Sequence, residues 1–389
     1  MLMKLTKEER VLNLIKRKEV DYLPSQITFA DRSRYTEISK VLGLTSNDML
    51  DDYLENHFYF SYTLQDKPMY FSDIKEEIEK LRKLNFAFPD WNNNIVYDQW
   101  GIGYKVGIGT FFVDFHPLQK NGYKEIINYM PKRLKEVLTE KKLEIAIKKY
   151  SAPSVNTKNN FTDWINDLKK YSGNFLVLPI GYNGIFEKSC SILGWEEFMT
   201  NIALKPSIIE GILDKVTNYK IEIAKKIIDI GFKIAHSGDD FGTQTGGFFS
   251  EKMFKNIIIP RLKKHFLIFK KAGLPIMFHS CGNITQYIPD LIDIGLDILE
   301  PCQPCMDLNY LKKEFGKDII FYGGINTQSL PYLSKEQTKD MVINTIRTLG
   351  KGGGYIIAPS QEITNDVPLD NIKVLIDTIK EERENVLYL

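Results

Sequence analysis

The chain lacks any apolar run long enough to cross a bilayer. Its longest stretches, Asn256–Pro260 (NIIIP) and Phe175–Gly181 (FLVLPIG), fall far short of the ~20 residues that a membrane helix needs. An excess of either charge is also missing: 51 Lys and Arg face 50 Asp and Glu, a formal +1. No net field therefore favours nucleic acid or an anionic membrane surface. The opening MLMKLTKEER has no signal-peptide core. Together these absences predict a cytoplasmic protein with no nucleic-acid and no membrane partner. Cysteine is scarce, at four residues, but Cys281, Cys302 and Cys305 cluster beside His279. In a long cytosolic chain such clustering argues for metal or catalytic chemistry rather than disulfides.

What is present suits a globular enzyme, because 43% hydrophobic and 26% charged residues in 389 can bury a full core. From Phe175 onward one theme recurs: a short apolar run, a loop bearing Gly or Pro, then an amphipathic stretch of helical period. The runs are Phe175–Ile180, Phe232–His236, Pro275–Phe278, Asp297–Leu299, Ile319–Tyr322 and Tyr355–Ile357. Helical patterns at Pro206–Ile230, Lys252–Ala272, Ile284–Ile294, Lys335–Leu349 and Leu369–Glu382 alternate with them. Gly231, Gly273, Gly295 and Gly350 stand as their C-terminal stops. With further strands at Leu23–Thr28 and around Ile95–Lys105, the count approaches eight, and a (β/α)8 TIM barrel is the economical reading. One domain over 1–389 is expected. Residues 1–150 include a helical and hairpin cap, and 175–389 form the most regular βα part.

In a barrel, catalytic groups belong at the carboxyl ends of the strands. There the sequence places HSGDDFGTQTG (His236–Gly246), FHSCGN (Phe278–Asn283), EPCQPC (Glu300–Cys305), YGGINTQ (Tyr322–Gln328) and APSQEI (Ala358–Ile363). His279 and Cys281, two apart, point the same way in an extended segment, so one imidazole and one thiolate can reach one metal. Nitrogen and sulfur suit Zn²⁺, and a catalytic site uses three protein ligands and an open fourth position. Asp239 and Asp240 are adjacent, so at most one faces the cavity, as a catalytic base, a substrate ligand or a support for a zinc-bound histidine. Gln244 is a candidate for hydrogen bonding a substrate or corrinoid amide. The remaining histidines, 57, 116, 236 and 265, show no ligand spacing among themselves.

The segments MFHSCGNI, LIDIGLDILEPCQP, FYGGINTQSL, GGGYIIAPSQEI and DVPLDNI together resemble the C-terminal half of the uroporphyrinogen decarboxylase superfamily, over roughly Val177–Glu381. Within it, His-x-Cys resembles the zinc pair of the methylcobalamin:thiol methyltransferases, whereas the decarboxylases are metal-free. The resemblance implies a zinc-dependent enzyme that moves a methyl group between a corrinoid and a small thiol or methoxylated molecule, in either direction. No Asp-x-His-x-x-Gly corrinoid motif is present, so the methylcobalamin is expected on a separate corrinoid protein or free. Those methyltransferases take a third ligand, a cysteine, where Gln361 stands here. Cys302 ranks first as its replacement, then Glu300, with Cys305 and Glu362 behind. Gln361 and Asn326 become candidates for substrate binding. Trp100, in a YDQWGIGYK segment resembling the methyltransferase branch, is a candidate for the substrate entrance. Two rival readings stay open: a metal-free decarboxylase-like lyase using Arg32, Arg34 and Asp239, and a non-catalytic corrinoid-binding protein.

Overall fold

The computed structural model describes residues 4–385 except 32, 46–47, 64–94, 108–109, 120–131, 139, 141, 157–159 and 181–183. Arg32 thus lies outside the described residues. Among the described residues ten strands are formed: β1 Phe58–Tyr62, β2 Ile95–Tyr97, β3 Gly103–Gly107, β4 Thr110–Phe115, β5 Leu176–Ile180, β6 Ala235–Gly238, β7 Ile276–His279, β8 Ile298–Cys302, β9 Ile320–Ile325 and β10 Tyr355–Pro359. The order β10-β9-β8-β7-β6 makes one parallel sheet and β1-β5 another. The extended segment 25–29 bridges them: Ser25 pairs with Ile357 and Phe29 with Ile363 on one side, and the His57 N–H donates to the Ser25 carbonyl on the other. Segment 25–29, β1, β5, β6, β7, β8, β9 and β10 therefore follow one another as eight parallel staves. Among the described residues the ladder is interrupted in two places: at segment 25–29, which contributes isolated bridges and single hydrogen bonds, and between β5 and β6, which lie side by side without pairing.

Continuous apolar runs mark staves buried on both faces. LVLPI of β5, IFYGGI of β9 and YIIAP of β10 are buried along their whole length. Helices cover the outside at Pro206–Ile230, Lys335–Gly350 and Leu369–Asn385, and the connection from β6 to β7 runs through Ile259–Lys271 after a π-helical turn at Phe254–Ile258. Gly231, Gly273 and Gly295 end their helices with positive φ, but Gly350 remains helical and the turn falls to Gly352–Gly354.

Two expectations need correcting. Ile95–Lys105 is not a stave: it supplies β2 and β3 of a separate antiparallel sheet with β4. The second stave is instead β1, whose aromatic sequence FYFSY reads as part of the cap until its pairing with β5 is seen.

Side chains close the joint between the first two staves. Asn56 accepts from the Ile27 N–H (2.8 Å) and donates to the Ile27 carbonyl (3.0 Å). His57, fully buried, sits 3.1 Å from the Arg10 guanidinium at Nε2 and 3.0 Å from the Ser25 carbonyl at Nδ1. A guanidinium only donates, so Nε2 is the acceptor and Nδ1 carries the proton. Burial, then the Arg10 charge, holds the His57 pKa down at about 3, so this histidine is neutral.

Candidate metal centre at the barrel rim

The register of the central sheet builds the site. His279 ends β7 opposite Gly238 of β6 and Glu300 of β8. The His279 Nδ1 lies 2.9 Å from a Glu300 oxygen. An ionised carboxylate can only accept, so Nδ1 holds a proton, and once Nε2 gives up its own, as metal binding requires, its lone pair faces Cys281 and Asp240. Burial disfavours charge on both partners, but each overcomes this for the other: Glu300 is held down to about 2, and His279 well above the usual histidine range.

Nε2 of His279 is 3.5 Å from Sγ of Cys281 and 3.4 Å from Oδ1 of Asp240. These three donor atoms lie within 4.8 Å of one another, and theirs is the one such cluster of His, Cys, Asp or Glu among the described residues. Asp240 is fixed by the Cys281 backbone N–H, which donates to Oδ1 at 2.8 Å. Two loops interlock behind it: the Gly242 N–H donates to the Cys281 carbonyl, and the Asn283 N–H to the Thr243 carbonyl. A Cβ on Gly282, at φ +82°, would stand 2.1 Å from the Gly242 backbone, so only glycine admits this approach.

The adjacent aspartates separate as their geometry requires. Asp239 is fully buried and accepts the Phe186 N–H at 2.6 Å and the Glu187 N–H at 2.9 Å. It anchors the first turn of the helix Ile185–Leu193 to the end of β6, satisfying donors that a helix start otherwise leaves free. Asp240, one position on, turns into the rim.

Cys302 stands apart from the cluster. The ladder between β8 and β9 shifts between Leu299 and Cys302, so the simple alternation that would put Cys302 beside Glu300 is broken. Its thiol is fully buried, and burial pushes its pKa well up. Cys305 is partly buried in the following turn, where its carbonyl accepts from Asn283. Gln361 is at the rim: its amide donates to Cys281 Sγ at 2.9 Å, and Gln303 donates to the same sulfur from 3.7 Å. Glu362 is exposed beside it, with Glu300 and His279 as the charges that bear on it. Gln244 is exposed in a bend after β6. Asn326 holds the turn at 327–329 after β9, accepting from the Gln328 and Ser329 N–H groups. Trp100 packs edge-on against Tyr219 and is buried with the antiparallel sheet. Arg34 donates to Glu37 and to the Val367 carbonyl.

Two groups at the site are unmarked by spacing. Glu187 accepts the Asp240 backbone N–H, and burial, then the Asp240 charge, raises its carboxyl pKa. His236, on β6, lies 3.6 Å from Glu300 at Nε2, with Nδ1 buried and unpartnered. The helix N-cap Gly184, whose N–H donates to the Glu187 carboxylate three positions on, is the local hint of the former. The latter is an inward position of a stave.

A parallel barrel with metal-competent side chains on its carboxyl-end rim defines a class of (β/α)8 enzyme. The profile of the family described as uroporphyrinogen decarboxylase (URO-D) matches residues 135–382, and the chain belongs to that family. A methylated-thiol–coenzyme M methyltransferase of Methanosarcina mazei is 20% identical over 213 residues, covering 55% of each chain. A methylcobamide:CoM methyltransferase MtaA of Methanosarcina barkeri is 22% identical over 196 residues, 50% of this chain and 56% of its own. A uroporphyrinogen decarboxylase of Psychromonas ingrahamii is 22% identical over 181 residues, 46% of this chain and 49% of its own. The chain thus spans about half the length of the curated relatives it matches. A solved methyltransferase from Methanosarcina mazei shares the fold, with a TM-score of 0.58 at 17% identity over 97% of this chain and 99% of that one. No helix among the described residues is long and apolar enough to cross a membrane.

Proposed function

We propose that this chain is a zinc-dependent methyltransferase that moves a methyl group between a corrinoid and a small thiol or methoxylated molecule. The observation that carries the reading is the convergence of one nitrogen, one sulfur and one oxygen donor, from His279, Cys281 and Asp240, on the barrel rim. The donor set fits zinc, which takes N, S and O ligands and in catalytic sites three from the protein. When bound, zinc supplies positive charge that favours the thiolate form of a substrate thiol at neutral pH.

The residues of the chain do the rest. Glu300 locks His279 in the tautomer that presents Nε2, as carboxylates behind metal-ligating histidines do. The Cys281 backbone N–H keeps Asp240 in place. The amides of Gln361 and Gln303 donate to Cys281 Sγ and draw charge from that sulfur, leaving more of the cation's field for the substrate. Gln361 occupies the rim position where the resembling methyltransferases carry a cysteine, and Asp240 takes over as the third donor. The methyl-bearing corrinoid belongs to a separate protein or is free methylcobalamin, with its face over the rim.

The decarboxylase-like reading has less support, because two of the residues it would use are committed elsewhere: Asp239 to the helix start and Arg34 to Glu37 and the Val367 carbonyl. The test is methyl transfer from methylcobalamin to a thiol, followed by the cobalt absorbance spectrum, in the native protein and Cys281→Ala. Thiol-dependent demethylation lost in the variant is expected. A corrinoid complex whose spectrum never changes would instead favour a binding protein, and turnover unaffected by Cys281→Ala would remove the metal from the mechanism.

A further inference from the structure

The amino ends of β9 and β10, at the opposite end of the staves from the metal centre, gather two cations around a glycine loop. Gly352, Gly353 and Gly354 all have positive φ and lead into β10. The Arg17 guanidinium occupies the space that a Cβ on Gly354 would fill, and it donates to the Ile319 carbonyl at 2.7 Å. Lys312, from the helix Leu308–Phe315, donates to the Gly353 carbonyl at 2.6 Å. The two heads therefore flank consecutive residues of one loop. Among the described residues neither pairs with a carboxylate. Burial, then the Arg17 charge, holds the Lys312 pKa down to about 8, as two like charges held close together do. Asp318 acts on Arg17 without pairing with it, and Glu314 is engaged by Lys313 at 3.4 Å. Glu19 is the remaining acid in the flanking sequence, against exposed Lys16, Lys18, Lys317 and Lys351. The balance at this corner is positive.

Arg17 also stands where glycine is expected. It follows the helix Lys7–Ile15 at φ +55°, a left-handed conformation that at helix ends usually falls to Gly or Asn. What that backbone cost secures is the place of the guanidinium on the loop. A guanidinium has five N–H donors and an ammonium three, so the carbonyl contacts leave donors on both heads. We propose that Arg17 and Lys312 together bind a phosphoryl anion at the amino end of the barrel. The guanidinium fork matches two phosphate oxygens, and the ammonium supplies a point charge to a third. This inference is independent of the methyl-transfer reading.

Inorganic phosphate and glycerol 3-phosphate, titrated calorimetrically into the full-length protein at low ionic strength, test it. Two charge-assisted contacts place the dissociation constant at about 1 mM or tighter. Arg17→Gln and Lys312→Gln are each expected to weaken binding at least about ten-fold, and the neighbouring Lys351→Gln less than about three-fold. Amine acylation mapped by mass spectrometry gives a second reading that needs no variant: phosphate should protect Lys312 and leave Lys351 labelled. Whichever of the two anions binds more tightly identifies the source, the free ion or the phosphate end of a small molecule. No binding up to about 10 mM, affinity unchanged in both variants, or equal labelling of Lys312 with and without phosphate would overturn the inference. Affinity lost in Cys281→Ala but kept in Arg17→Gln would put the anion on the metal centre and overturn it as well.

Discussion

Replacing Asp239 separates a structural role from a chemical one at two adjacent residues. Its carboxylate accepts two buried N–H groups, from Phe186 and Glu187, at 2.6 and 2.9 Å. In Asp239→Ala both donors lose their partner, and each unsatisfied buried donor costs ~1–3 kcal/mol. Water entering the vacated space recovers part of this, so a loss of about 2–4 kcal/mol is expected, or roughly 2–5 °C in thermal midpoint for a domain of this size. Asp239→Asn keeps one acceptor oxygen but turns an N–H₂ group toward the other donor, at a cost of about 1–3 kcal/mol. The assay is the thermal unfolding midpoint together with zinc content after refolding checks by circular dichroism. The expected pattern is a lowered midpoint with about one zinc per chain retained. Asp240→Ala should reverse it, losing the metal while disturbing the fold little, since Asp240 accepts one loop N–H at a partly exposed position. An Asp239→Ala protein of native midpoint, metal-loaded but inactive, would refute this division and put Asp239 among the reacting groups.

Other consequences follow from the same geometry. Glu300→Gln removes the charged partner that holds the His279 tautomer, and zinc affinity measured by chelator competition should fall about 10–100-fold. Gly282→Ala places a Cβ against the Gly242 backbone at a positive φ, so the two loops must part. Zinc affinity should fall in this variant too, with the helical circular dichroism signal unchanged. His57 has its folded pKa lowered to about 3, against an unfolded value of ~6.5. The unfolded chain therefore binds the extra proton between these values, and stability falls as pH drops from about 6.5 toward 3. Urea midpoints at pH 7 and pH 5 should differ in the native protein and differ less in His57→Gln.

The half of the fold from β5 onward was legible because buried parallel staves carry continuous apolar runs and their helices carry a 3.6-residue period. The first half was not, for reasons visible in particular residues. The stave at 25–29 contributes isolated bridges rather than a ladder, and β1 is aromatic, flanked by a helix and paired with a strand more than a hundred residues away. Ile95–Lys105 is rich in strand-forming residues as a stave would be, yet its two strands pair with each other in a hairpin. At the rim, spacing sufficed to bring His279 and Cys281 together, because i and i+2 share a face. It did not yield the third donor. Alternation predicts Cys302 beside Glu300, and the shifted ladder after Leu299 defeats that rule. Asp240 enters by a loop whose direction depends on the Gly242 and Gly282 contact, and Glu187 arrives from a helix start between distant staves. Neither relation is local in sequence.

The most direct test of the centre is the metal content of the purified protein, prepared under reducing and zinc-replete conditions, for the native chain and for His279→Ala, Cys281→Ala, Asp240→Ala and Cys302→Ala. About one zinc per chain in the native protein and in Cys302→Ala, and loss in the other three, is the predicted result. A native protein without zinc, or zinc retained in Asp240→Ala and lost in Cys302→Ala, would contradict the Asp240, His279 and Cys281 assignment.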